Sequence, residues 1–166
     1  MVPAHHIQID LTLQRLTLLE GDQFIASYPV STALNGPGEK SGSGCTPRGY
    51  HAIRLKLGEG KPLNTVFIGR RPSGEIYTPE LASKNPDRDW ILTRILWLSG
   101  RESGVNRGGE RDTLRRFIYI HGTPESEPMG VAKSHGCIRM HNHDLLALFN
   151  QVEVGTPVDI RDSFTF

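Results

Sequence analysis

Short runs of alternating apolar and polar residues dominate the chain. His6 to Asp10 puts Ile7 and Ile9 on one side and polar residues on the other, the period-two pattern of a half-buried strand. Arg15 to Leu19 repeats it, Glu20-Gly21-Asp22-Gln23 has turn chemistry, and Phe24 to Val30 predicts the returning strand of a hairpin. Tyr50 to Leu57 alternates again. Thr65 to Arg70 predicts a short strand and Arg71 to Glu75 a turn. Trp90 to Leu98, rich in β-branched and aromatic residues, predicts a central strand. Arg116 to His121 predicts another, and Val158 to Arg161 a closing one. The clear helical pattern runs from about His143 to Gln151, with Leu145, Leu146, Leu148 and Phe149 as its apolar side and Asn142 as its N-cap. Strands so outnumber helices that a mainly β, sandwich-like domain is predicted.

The intervening segments read as loops. Asn35 to Gly49 is rich in Gly, Ser and Pro, Tyr77 to Arg88 suggests an irregular lid with Pro79 and Pro86, and Ser99 to Glu110 holds four glycines and predicts a mobile loop. At 166 residues, without repeats or linkers, the chain is expected to be one domain over 1–166, large enough for a core without disulfide staples. A formal charge of +1 with mixed signs argues against nucleic acid as a partner. No run is long and apolar enough to cross a membrane, so no membrane partner is expected. Met1 to Asp10 has neither a basic nor an apolar signal region. A cytoplasmic location is therefore expected, and a periplasmic one if a leader was removed. Of the two cysteines, Cys45 sits in a Gly/Ser loop. A Cys45–Cys137 disulfide is open on sequence grounds, but it needs an oxidising compartment and would block the second thiol.

Candidate chemistry concentrates in His121 to Met140. His121 ends the apolar run Phe117-Ile118-Tyr119-Ile120, and twelve residues separate it from Ser134. A loop of that length can fold back and bring His121 to Cys137, the minimum for nucleophilic cysteine catalysis. The imidazole would take the thiol proton and return it to a leaving amine. Backbone N–H groups at Gly136 and Cys137 would hold an oxyanion, and the missing Cβ of Gly136 lets a substrate approach. Ser134 and His135 either order the loop or line the pocket. Arg139 either braces the loop or holds a substrate carboxylate bidentately. Tyr119, two residues before His121, shares its face of the strand and is a candidate pocket residue. Cys137 also lies near His121, His135, His141 and His143, but the spacing is not that of a zinc site, so neither metal nor cofactor is expected.

His121-Gly122 followed by Ser134-His135-Gly136-Cys137-Ile138-Arg139 resembles the signature of the L,D-transpeptidase (YkuD) catalytic domain, and Thr46-Pro47-Arg48-Gly49 resembles its Thr-Pro-x-Gly segment. The resemblance spans about residues 7 to 160. It implies a mixed β-sandwich with a short helix after the cysteine. It also implies that the Gly122 carbonyl orients His121, and that Cys137 attacks the bond between an L-centre diamino acid and D-Ala in peptidoglycan tetrapeptide stems (muropeptides). Carbapenem acylation of Cys137 is a further implication. Water as acceptor would make an L,D-carboxypeptidase of murein recycling, the leading expectation. A stem amine would make a 3→3 cross-linking L,D-transpeptidase. A peptidoglycan-binding module without catalysis is the other class, and the intact Cys/His pair argues against it.

Overall fold

A computed structural model describes residues 4–164. Ten strands form one mixed sheet: β1 (His5–Asp10), β2 (Arg15–Glu20), β3 (Gln23–Ser31), β4 (Gly49–Leu57), β5 (Thr65–Ile68), β6 (Arg71–Ile76), β7 (Leu92–Gly100), β8 (Tyr119–Gly122), β9 (Ile138–Met140) and β10 (Pro157–Arg161). Their order is β4-β10-β1-β2-β3-β9-β8-β7-β5-β6, and an extra β4–β7 pairing closes the sheet on itself. The β1–β10 and β8–β9 pairs are parallel. The mainly β architecture is as the alternation predicts.

Closure puts one face of each strand inside. Ile7 and Ile9, Leu16 and Leu18, Leu96 and Leu98, Ile118 and Ile120, and Val158 and Ile160 meet there as i, i+2 pairs. Helix α2 (Asn142–Phe149) adds Leu145, Leu148 and Phe149 to this core. Each fully buried aliphatic side chain contributes roughly 1.5–3 kcal/mol. Lys56 Nζ on β4 donates to the carbonyls of Phe149 and Val152, each at 2.7 Å, and so ties the helix C-terminus to the sheet.

Three elements differ from expectation. Arg71 to Glu75 is strand β6. The chain reverses earlier, at Gly69 (φ 56°) and Arg70 (φ 66°), the double left-handed pair of a two-residue hairpin turn. The expected irregular lid contains a helix, α1 (Pro79–Lys84). Thr78 caps it by accepting from Leu81 N at 3.1 Å, with proline in its first turn. Asn142 is not the α2 N-cap, which is His141. In the glycine-rich loop after β7, buried Asn106 donates to the carbonyls of Arg48 and Tyr50 and accepts from Glu102 N, pinning the segment to β4.

His51 on β4 is wholly buried, with Nε2 2.9 Å from Thr113 Oγ1. Burial pushes its pKa down from 6.5 to about 4. Below pH 6.5 the unfolded chain takes up a proton that the folded one refuses. Stability is therefore expected to fall as pH drops from about 6.5 towards 4, by about 3 kcal/mol from this residue. Urea denaturation at pH 7 and pH 4.5 checks this, and His51→Gln is expected to flatten that part of the profile.

Candidate active site

Strand register builds the site. In the parallel β8–β9 pair, Ile120 faces Ile138 and His121 faces Arg139. Alternation sends Ile120, Ile138 and Met140 into the main core and leaves Tyr119, His121, Cys137 and Arg139 on the other face. A cavity of about 80 Å³ opens there, lined by His121, Ser134, His135, Cys137 and Arg139 together with Asp89, Arg116, Phe117 and Ile118. Five residues singled out from the sequence thus meet at one cavity. Tyr119 shares the face but not the lining. Its ring packs edge-on against Trp97 at 5.7 Å and its hydroxyl accepts from Arg70 at 3.2 Å. Only its amide reaches the site, donating to Cys137 Sγ at 3.3 Å.

His121 is 2% exposed, and its Nδ1 donates to the Gly122 carbonyl at 2.6 Å. A carbonyl can only accept, so the Nδ1 proton is fixed and the neutral ring keeps its lone pair on Nε2. Burial pushes the pKa down; the Gly122 bond and Asp89 raise it, and Arg139 lowers it. Gly122 is obligatory for a steric reason: a Cβ there would meet Asn142 Oδ1 and lie 2.6 Å from the Leu92 carbonyl.

Asn142 at the start of α2 is fully buried behind Gly122. It accepts from Thr93 Oγ1 at 2.7 Å and donates to Asn64 Oδ1 and the Thr123 carbonyl at 3.1 and 3.0 Å. Thr93 holds φ at 76°, a strained value for a β-branched residue, where the β7–β8 register shifts. Asn142→Leu leaves buried polar groups without partners and is expected to lower stability by about 3 kcal/mol in urea denaturation.

The Cys137 thiol donates to the Phe117 carbonyl at 3.3 Å and accepts from Tyr119 N. Burial pushes its pKa up to about 11. The Tyr119 amide, Arg139 and Arg116 pull the other way, and Asp89 adds to the rise. Burial thus favours the neutral form of both the thiol and the imidazole. Arg116, half-buried, is held by the carbonyls of Cys45 (2.6 Å) and Gly38 (3.2 Å). Sequence reasoning missed it. Its signal was a charged residue at the foot of the strand that bears His121.

The loop before Cys137 is tied from both sides. Ser134 Oγ donates to the Cys137 carbonyl and accepts from Gly136 N at 3.2 Å, so its hydroxyl orders the loop. To serve as an oxyanion donor, the Gly136 amide would have to leave that bond. Thr46, fully buried, donates to the Gly136 carbonyl at 2.9 Å and accepts from Ala33 N. This explains the Thr-Pro-x-Gly segment. Arg139 pairs with Asp89 at 3.3 Å and Glu127 at 3.8 Å, the loop-bracing option. His135 is exposed on the rim, 3.8 Å from Asp89. Asp89, which nothing in the sequence marked, links both and joins this cavity to a second of about 170 Å³ that includes Trp90, Pro124 and Glu127. Among the described residues, no cluster of three His, Cys, Asp or Glu side chains could hold a metal ion.

A cysteine directly before β9 and a tautomer-fixed histidine on β8, joined by a braced loop, define a cysteine-nucleophile type of site. The L,D-transpeptidase catalytic domain (YkuD) family matches residues 4–160, and the chain belongs to it. The probable L,D-transpeptidase YbiS of Escherichia coli (strain K12) is 45% identical over 110 residues, 64% of this chain and 35% of that protein. An L,D-transpeptidase from Mycobacterium smegmatis superposes with a TM-score of 0.54 at 21% identity, covering 95% of this chain and 58% of that one. The L,D-transpeptidase LdtMt1 in complex with imipenem gives 0.56 at 18%, covering 95% and 59%. At these identities the two structures share the fold. The chain spans about a third of the length of the first curated relatives it matches.

Proposed function

We propose that this domain is a cysteine acyltransferase acting on peptidoglycan tetrapeptide stems, and that it hydrolyses them. The observation that carries this is the His121 geometry. With Nδ1 committed to Gly122, Nε2 is the free basic nitrogen of the buried imidazole that lines the cavity with Cys137, whereas His135 lies exposed on the rim beside Asp89. His121 Nε2 takes the thiol proton as Sγ attacks the carbonyl carbon of the L-centre diamino acid. The oxyanion rests against the Cys137 backbone amide, joined by the Gly136 amide once that leaves Ser134 Oγ. The protonated imidazole then gives its proton to the D-Ala nitrogen, the C–N bond breaks, and a thioester remains. Water attacks the thioester, its proton goes to His121, and the shortened stem leaves with the thiol restored.

The same Cys137 and His121 serve either acceptor of the thioester, water or a stem amine. The leading reading is an L,D-carboxypeptidase that trims soluble muropeptides in the cytoplasm during murein recycling. Cross-linking by a stem amine is the alternative. It gains if the full-length protein fractionates outside the inner membrane. The imipenem complex of LdtMt1 supports reaction of Cys137 with carbapenems.

The neutral pair predicts a pH profile. The lowered imidazole pKa places the acid limb of kcat/KM below the ordinary histidine range, and the raised thiol pKa leaves the rate flat through neutral pH. A thiolate–imidazolium pair would instead show a descending limb as the imidazolium deprotonates. Steady-state assays from pH 4.5 to 9.5 separate the two.

A further inference from the structure

The sheet face that carries Cys137 continues across β7 to a cavity of about 330 Å³ that the proposed reaction does not use. Trp97 pairs with Tyr119 across β7–β8, so Ser99, two residues on, lies on the same face. Ser99 and Ala52 are paired, and Arg54 follows on β4. The cavity is lined by Ala52, Arg54 and Ser99, and by Arg101, Arg107, Asp112 and Leu114 from the chain after β7.

Three guanidiniums share the lining with one carboxylate, whose charge is felt by Arg107 and offsets one of the three. Asp112 accepts from the Gly108 amide at 2.7 Å and the Arg115 amide at 3.0 Å. Glu102, the nearest acid in sequence to Arg101, accepts from Tyr50 N at 2.7 Å. Arg48, Arg88, Arg139 and Arg161 each pair with a carboxylate. Arg54, Arg101 and Arg107 form no ion pair or side-chain hydrogen bond among the described residues, although they share a cavity. All three are exposed, and the excess positive charge they leave at one cavity attracts an anion. The guanidinium fork matches phosphate oxygens bidentately.

We propose that this cavity binds a phosphate-bearing anion, with a diphosphate as the smallest ligand that satisfies all three arginines. With Asp112 offsetting one charge, a single carboxylate would still leave one of them uncompensated. The site is coupled to the catalytic cavity through one segment. Leu114, in the lining, accepts from Trp97 Nε1 at 3.1 Å, and the Trp97 ring packs on Phe117, whose carbonyl accepts from the Cys137 thiol. An anion that tightens Arg107 to Leu114 therefore steadies the backbone that holds Cys137.

Titration calorimetry of the protein with inorganic pyrophosphate at low ionic strength tests this. One binding site is expected, weakened by added salt. Arg54→Gln and Arg107→Gln should each reduce affinity about tenfold or more. Arg15→Gln, on β2, should leave it unchanged. None of the three altered arginines pairs with a carboxylate, so thermal unfolding is expected to show all three variants folded. Uridine diphosphate and a short poly(glycerol phosphate) serve as competitors. Stronger competition by the first assigns the phosphate to a soluble nucleotide carrier, and by the second to a phosphate polymer; either supports the site. Absence of pyrophosphate binding at millimolar concentration overturns the proposal. So does equal affinity in the Arg54→Gln and Arg107→Gln proteins.

Discussion

Cys137→Ala is expected to abolish cleavage of a tetrapeptide stem, by roughly 10³-fold or more, while leaving the fold in place. The thiol sits at the edge of the small cluster around Phe67, Ile95 and Tyr119, so its loss removes little packing. The same variant should form no adduct with imipenem, whereas the unaltered protein gains one molecule by mass. Cys137→Ser is expected to fail as well. A hydroxyl is a weaker acid than a thiol, and burial already holds this thiol far from ionisation. Adduct formation in the alanine variant would move the nucleophile elsewhere, with Cys45, the other thiol, as the first place to look.

Gly122→Ala is expected to have the second largest effect, and by a different route. The new Cβ would strike Asn142 Oδ1 on one side and the Leu92 carbonyl on the other. One of these is backbone of the neighbouring strand and the other a buried amide held by three hydrogen bonds, so neither can swing aside. Relieving the clash means opening the β7–β8 pair or displacing α2, at about 3 kcal/mol. In a domain of this size that lowers Tm by roughly 6–12 °C. The shift also moves the carbonyl that fixes His121 Nδ1. Assayed well below its melting temperature, the variant should therefore still lose most of its activity. A variant with lowered Tm but normal kcat would show that the Gly122 carbonyl does not position the base.

How much of this could be read from the chain varied with the physical range of each interaction. Strands whose outer face meets solvent, such as Ile7 to Ile9 or Leu16 to Leu18, carry the alternation openly. β9 did not: three residues, all buried, inside a stretch whose polar neighbours serve the site. β6 carries Pro72 and Gly74, which read as a turn, while the reversal lies at Gly69-Arg70. Asn142 illustrates a local rule overridden from a distance. An Asn before an apolar helical stretch reads as a cap, but burial against Thr93 and Thr123 gives its side chain other partners. The motif was enough to place Cys137, His121, Ser134, His135 and Arg139 at one cavity. Tyr119 was placed on the right face, yet the aromatic cluster beneath that face drew its ring away from the opening. Asp89 enters from the segment before β7, and nothing in its neighbours marks it, whereas Arg116 stands at the foot of the strand that bears His121.

The most direct test of the central claim is mass spectrometry of products after purified protein meets a soluble disaccharide-tetrapeptide, alone and with excess D-amino acid. Tripeptide and free D-Ala are expected, with little exchange or dimer, and a trapped thioester or carbapenem adduct that maps to Cys137. Abundant exchange or 3→3 dimers would contradict the hydrolytic reading and make the domain a transpeptidase. No turnover in either tube, with Cys137 unmodified, would contradict the acyl-enzyme account itself.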